Sequence, residues 1–372
     1  MNRVRHRTLA LPLAVGAVGL VVYASLYPFS EWRSQGMSPW SFLAAPWPQY
    51  WTAFDVVSNL LGYLPLGFLW ALTMVRLGLR RWVWPVGVGL PAALSLVMEA
   101  VQNFLPMRVP SQVDALLNVL GAFCGVVLVV VLSRWRMLAP WNHFRERCLV
   151  SDTAGGFLVL VLWPWAVLYP TPIPFGLGQV WWRVEAALPQ LLEGTPFEAW
   201  LPASAPVNLL SPLAEAVVVA LCLGAPLLLG YALLRGVAHR LVFALFWAVL
   251  APMVMAISAI LTYGPEHMWG WLAGPVWLGM VVAAGMAFWA LAWSHRACAV
   301  LLLMSLTWAL VLLNQSSESA YFAQSLETWE QGRFIRFHGL SQWVGWLWPY
   351  AALWVALRLA LRRSSGHYNS AA

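Results

Sequence analysis

Runs of roughly 18 or more mostly apolar residues recur from one end of the chain to the other, each long enough to cross a bilayer as a helix. Backbone inside lipid must satisfy its own hydrogen bonds, so only helices and closed barrels span a membrane. The strict apolar–polar alternation of barrel strands is absent. Charged residues make up only 9% of the 372 residues, whereas a soluble domain carries about 25%. The sequence therefore predicts an all-α fold, a polytopic transmembrane helical bundle of about ten spans. The spans are expected near Leu9–Pro28, Phe54–Val75, Val83–Phe104, Asp114–Leu132, Thr153–Pro170, Pro212–Leu234, Leu241–Tyr263, Trp271–Trp293, Ala297–Asn314 and Gln342–Leu361.

Orientation follows from the basic residues, all 21 of which are Arg. With the N-terminus inside, sixteen of them fall in inner loops and tails, Arg3, Arg5, Arg7, Arg80, Arg81, Arg134 and Arg136 among them. This positive-inside bias predicts that both termini are cytoplasmic. The formal charge of +7 is then a topology signal that also attracts anionic inner-leaflet lipid. Membrane lipids are the expected partners, and nucleic acid is not. The basic start followed by an apolar core has no small-x-small cleavage site after it, which reads as an uncleaved first span. Cys124, Cys148, Cys222 and Cys298 fall in spans or inner loops, so no disulfide is expected. Tryptophans such as Trp47, Trp82, Trp84 and Trp269 collect near span ends, as an interfacial belt does.

The inner loop Ser133–Ser151 is the most polar internal stretch on the cytoplasmic side. It predicts a four-span unit over 1–134, a basic cytoplasmic loop over 135–151 and a six-span unit over 152–372, whose role the sequence leaves open. Three outer loops are long. Phe29–Ala53 holds Trp32, Trp40, Trp47 and Trp51 and is expected on the membrane surface. Thr171–Ser211 is rich in Pro, and in Gln315–Ser341 the spacing of Phe322, Leu326 and Trp329 suits a short amphipathic helix.

Against this background the stretch from Met98 to Gly121 is unexpectedly polar, with Glu99, Gln102, Asn103, Arg108, Ser111, Gln112, Asp114 and Asn118. Part of it repeats: the pattern [ST]-x-x-D-x-x-x-N-x-x-G runs from Thr52 to Gly62 and again from Ser111 to Gly121. Both copies open a span that descends from the outside, so they are expected at similar depth. On helices, Asp114, Asn118, Gly121 and Gly125 form one stripe, Asp55, Asn59 and Gly62 another, and Ala92, Ser95, Glu99 and Gln102 a third. Gly121-x-x-x-Gly125 offers a surface for close helix approach. An ionisable group facing lipid costs about 2.5–3.5 kcal/mol at a helix centre, so these groups are expected to turn inward and meet. The expected cluster is Asp55, Asn59, Glu99, Gln102, Arg108, Asp114 and Asn118, just below the outer surface.

Several uses compete for such a cluster. Ser111-x-x-Asp114 and Thr52-x-x-Asp55 read as capping boxes, and the asparagines as interhelical glue. Glu99 resists that account, because it sits at the C-terminal end of its helix, where the dipole disfavours an acid. Arg108 is its nearest partner in sequence. Among functional uses, Arg108 suits a phosphate or carboxylate, the three acids suit a divalent cation or protons, and the spans lack the broken helix of a transporter. The seven His show no metal-ligand spacing, so neither a metal nor a cofactor is expected. No Ser–His–Asp order and no phosphate-cradling glycine loop is present, which points away from an enzyme.

The residues Glu99-x-x-Gln102, Arg108 and Asp114-x-x-x-Asn118-x-x-Gly121, preceded by Asn59-Leu-Leu-Gly-Tyr-Leu-Pro65-Leu-Gly67, resemble the VanZ-like membrane protein family over Phe54 to Leu132. That family is named for a bacterial protein that lowers sensitivity to the glycopeptide teicoplanin. The resemblance implies a bacterial inner-membrane protein with an envelope-associated binding or accessory role. Its polar site would lie at Glu99, Gln102, Arg108, Asp114 and Asn118 and engage an anionic lipid-linked or glycopeptide ligand. An enzyme or carrier acting on a polyprenyl-phosphate-type lipid and a structural scaffold are the alternatives. About six spans after Arg147 depart from the short members of the family.

Overall fold

The computed structural model describes residues 10–27, 29, 31–47, 53–106, 108–135, 148–150, 154–198, 210–315 and 335–361. The amphipathic segment expected around Phe322 and Trp329, most of the loop Ser133–Ser151 and the terminal arginines lie outside them. Every described regular element is helical, and seven helices are long and apolar enough to cross a membrane. Three further apolar helices, Ala10–Leu26, Gly155–Leu168 and Gly274–Ala290, are shorter. The chain is an all-helical protein of the polytopic bundle type, and each expected span coincides with a helix. It divides into two compact units, Met1–Phe144 and Arg145–Ala372.

The first unit holds α1 (Ala10–Leu26), α2 (Ala53–Arg76), α3 (Val83–Gln102) and α4 (Gln112–Arg134). Helix α2 opens with Asp55 in its first turn and closes with Arg76 in its last, and α4 does the same with Asp114 and Arg134. Both arrangements suit the helix macrodipole. Pro106 and Pro110 bracket the turn between α3 and α4, where neither helix can continue. The core of the unit is small. Ala71, Met74, Val83, Val126 and Val129 pack together toward the ends of α2 and α4 and the start of α3, while Leu26, Met98 and Leu105 seal α1 against α3.

The second unit comprises α5 (Ala154–Leu168), α6 (Trp181–Leu192), α7 (Pro212–Leu233), α8 (Val237–Tyr263), α9 (Gly274–Ala290), α10 (His295–Gln315) and α11 (Ile335–Leu361). Helix α7 is apolar on all sides and buried over most of its length, as a central helix must be. Its end is fixed by Arg240, which is 4% exposed. That guanidinium donates to the carbonyls of Leu234 at 3.3 Å, Leu291 at 3.0 Å and Trp293 at 2.6 Å. It thereby satisfies chain-end carbonyls following α7 and α9.

Two features differ from the sequence reading of Thr171–Ser211 as a Pro-rich outer loop. Residues 181–192 form a helix, too short and too polar to span. Ile173, Phe175, Leu177 and Gln179 are buried, with Gln179 Nε2 donating to the Leu313 carbonyl at 2.9 Å. The prolines at 170, 172 and 174 prevent a helix, but the apolar residues between them are drawn into the core all the same. Phe175 stacks on Trp163 with ring centroids 6.1 Å apart. Irregular backbone is tolerated there because the segment is buried in protein.

Candidate functional site

Three stripes of polar side chains meet where α2 and α4 begin and α3 ends. Asp55, Asn59 and Tyr63 recur every four residues on α2, Ser95 and Glu99 do so on α3, and Asp114 and Asn118 on α4. Small residues set the spacing. A Cβ added at Gly121 would overlap the Leu60 carbonyl, one at Gly125 the Leu64 carbonyl, and one at Gly67 the Ala122 carbonyl. With no side chains between them, the two backbones touch. Because Leu60 meets Gly121 and Leu64 meets Gly125, α2 and α4 run parallel and the two copies of the repeated motif lie side by side.

The start of α4 shows why capping does not account for its acid. Ser111 Oγ accepts from the N–H groups of Val113 at 3.2 Å and Asp114 at 3.4 Å, as an N-cap does. In a capping box the acid three residues on would accept the N–H of Ser111. Here Glu99 of α3 takes that place, its Oε2 accepting from Ser111 N at 2.8 Å. Glu99 is 4% exposed, and this main-chain donor satisfies it. Asp114 is thereby left to face α2. Asn59 and Asp55 are its polar neighbours on that helix. Asp114 is in turn the charged neighbour of Glu99.

Below these acids, Asn118 Nδ2 donates to Ser95 Oγ at 3.0 Å, and the Tyr63 hydroxyl is set beside Ser95. The Asn118 Oδ1 atom and the Tyr63 hydroxyl are both buried without a hydrogen-bond partner. Access is graded. Asp55 is exposed, Asp114 is half-buried, and Glu99 and Asn118 are buried.

Gln102 and Arg108 are directed elsewhere. Gln102 Nε2 donates to the Ser25 carbonyl at 3.1 Å, and Arg108 Nη2 donates to the carbonyls of Tyr27 at 2.9 Å and Ala24 at 3.4 Å. These carbonyls end α1, where the macrodipole favours a cation. The expected pairing of Arg108 with Glu99 is thus replaced by two separate arrangements. Arg108 binds the end of α1, and Glu99 accepts from the start of α4.

The segment 31–47, expected on the membrane surface, folds over the α3–α4 turn. Arg33 N donates to Phe104 O at 3.0 Å, Gln35 Nε2 to Asn103 O at 2.9 Å, and Gln112 Nε2 to Ala45 O at 2.7 Å. Phe42 is buried against Ala100 and Ala115, while Trp32, Trp40 and Trp47 stay exposed. Two participants escaped the sequence reading. Tyr63 sits four residues after Asn59, a spacing that could have placed it on the stripe. The Ser111 N–H belongs to no side-chain pattern.

Each carboxylate of the cluster, where ionised, can only accept hydrogen bonds. Among the described residues no three His, Cys, Asp or Glu side chains are grouped to hold a metal ion. In the second unit an apolar groove of about 500 Å³ lies between α6, α10 and α11, lined by Trp181, Leu310, Leu347 and Tyr350 among others. No curated protein and no solved structure matches the chain. Residues 9–133, about a third of the chain, match the family model described as VanZ/LLP1, so the N-terminal region is similar to that family, and seven helices among the described residues are long and apolar enough to cross a membrane.

Proposed function

We propose that the protein serves the bacterial envelope from the inner membrane as a binding or accessory protein. In this reading both termini are cytoplasmic, and the cluster of Asp55, Asn59, Glu99, Asp114 and Asn118 faces outward. There it engages a lipid-linked or glycopeptide-related molecule, and through it alters sensitivity to teicoplanin-type glycopeptides. One observation carries the reading. Glu99 accepts the N–H that a capping box would give to Asp114, so helix capping does not account for the acid of α4. Ionisable groups within membrane helices are costly and mark functional sites.

The test separates abundance from phenotype. Asp114→Asn is expressed in the native host, and protein level and glycopeptide sensitivity are measured independently. Normal abundance with altered sensitivity supports the reading. Loss of the folded protein supports the scaffold alternative, in which the cluster only holds helices together. Unchanged abundance and unchanged sensitivity contradict both.

The second reading, an enzyme or carrier for a polyprenyl-phosphate-type lipid, needs a cation at the phosphate. Arg108 is the candidate, and half-burial leaves part of its surface open. Its bonds to Ala24 and Tyr27 favour a structural use instead.

A further inference from the structure

The same cluster also indicates the charge of what it binds, an inference that rests on the reading just given. Two of its acids have another acid as a charged neighbour: Asp114 for Glu99, and Asp55 for Asp114. Arg108 of the adjoining turn directs Nη2 to the end of α1. Neighbouring carboxylates repel one another, and a positive group between them relieves the repulsion.

A second observation does not involve the acids. Asn118 is only 5% exposed, and its Nδ2 is used on Ser95. Its Oδ1 is buried without a donor, one helical turn below Asp114 on the same stripe. A buried acceptor left unmade costs free energy, and such groups in native proteins mark places where something else supplies the bond. Both observations ask for the same thing, a group that brings hydrogen-bond donors and positive charge together. A phosphate brings the opposite of each. A quaternary ammonium brings the charge without N–H donors, and aromatic cages suit it better than carboxylates do. A primary ammonium carries three donors on one compact cation.

We infer that Asp55, Asp114, Glu99 and Asn118 bind a primary ammonium group carried by an envelope molecule. The group enters at exposed Asp55, is held at half-buried Asp114, and meets Glu99 and Asn118 beneath.

The test uses the purified full-length chain in nanodiscs of phosphatidylglycerol, titrated with three amphiphiles of one chain length: dodecylammonium, dodecyltrimethylammonium and dodecyl phosphate. Saturable binding of dodecylammonium is expected, with affinity about tenfold or more weaker for the trimethyl form and for Asp114→Asn. Asn118→Leu, which removes the buried acceptor but no charge, is expected to weaken dodecylammonium and leave dodecyltrimethylammonium unaffected. If Asp114→Asn does not fold, Asn118→Leu still carries the test. Competition by nanodiscs containing phosphatidylethanolamine would place the ammonium on a lipid headgroup, and competition by soluble ethanolamine on a free amine. Either outcome supports the inference. Dodecyl phosphate binding as tightly as dodecylammonium, or dodecylammonium binding unchanged in Asp114→Asn, overturns it. Tight dodecyl phosphate binding that is lost in Asp114→Asn would overturn the charge and keep the site. Unaltered glycopeptide sensitivity of Asp114→Asn at normal abundance, with dodecylammonium binding lost, would overturn the proposed role in glycopeptide sensitivity and leave the ammonium site standing.

Discussion

Asn118 of α4 donates to the Ser95 hydroxyl of α3 across 3.0 Å, and this bond closes the floor of the polar cluster. Ser95 is fully buried and Asn118 nearly so. The alternative for both groups is hydrocarbon, yet measured interhelical hydrogen bonds in membranes are modest, because the unfolded chain also finds partners. A double-mutant cycle with Ser95→Ala and Asn118→Ala is therefore expected to give a coupling of about 0.6 kcal/mol and no more than about 1.7. Unfolding of the purified protein in mixed detergent micelles measures it. A coupling near zero would mean that the two side chains do not meet.

The glycines at matching positions of the repeated motif should behave in opposite ways. A Cβ at Gly121 would strike the Leu60 carbonyl, whereas nothing lies within 4 Å of one at Gly62. Gly121→Leu should separate α2 from α4 and cost about 1–3 kcal/mol or more, the usual penalty of overpacking. Gly62→Ala should be neutral or stabilising by about 0.5–1 kcal/mol, since Ala is the better helix former. Thermal unfolding of the two variants decides between these outcomes.

Arg108 should matter chiefly to α1. Its two hydrogen bonds hold the carbonyls of Ala24 and Tyr27, and bonds to a charged donor contribute about 1.5–3 kcal/mol. In Arg108→Gln the C-terminal turn of α1 should lose protection against hydrogen exchange, while the turn containing Ser111 N, held by Glu99, keeps it. Loss of protection at Ser111 instead would place Arg108 with the acids.

In the second unit Arg240 is the corresponding test of buried polarity. Arg240→Met keeps much of the side chain's bulk but strips the Leu234, Leu291 and Trp293 carbonyls of their donor. Each unsatisfied buried group costs about 1–3 kcal/mol, so a marked fall in the unfolding temperature is expected. A change within a degree of wild type would show that water replaces the guanidinium without loss.

The helices were legible in the sequence because lipid leaves so little choice. A long apolar run must be a helix, and its length fixes its ends to within a few residues. Glu99 was legible as an anomaly, an acid at the wrong end of a helix dipole. The approach of α2 to α4 was legible from Gly121 and Gly125, whereas Gly67, which completes the contact, lies outside the repeated pattern. Hydrogen-bond partners were not legible in the same way. Arg108 looked like the mate of Glu99 because the two are near in sequence, but the structure gives Arg108 the carbonyls of α1, 81 and 84 residues away. The buried segment around Phe175 was missed for a related reason. Prolines announce that a helix stops, but they do not say whether the chain then stays at the surface.

The central claim is that the function of the N-terminal unit resides in its acids and not in its arginine. It is tested most directly by measuring glycopeptide sensitivity in cells that carry Asp114→Asn or Arg108→Gln at matched membrane abundance. The account predicts altered sensitivity for Asp114→Asn and wild-type sensitivity for Arg108→Gln. Altered sensitivity in Arg108→Gln, with Asp114→Asn indistinguishable from wild type, would contradict it.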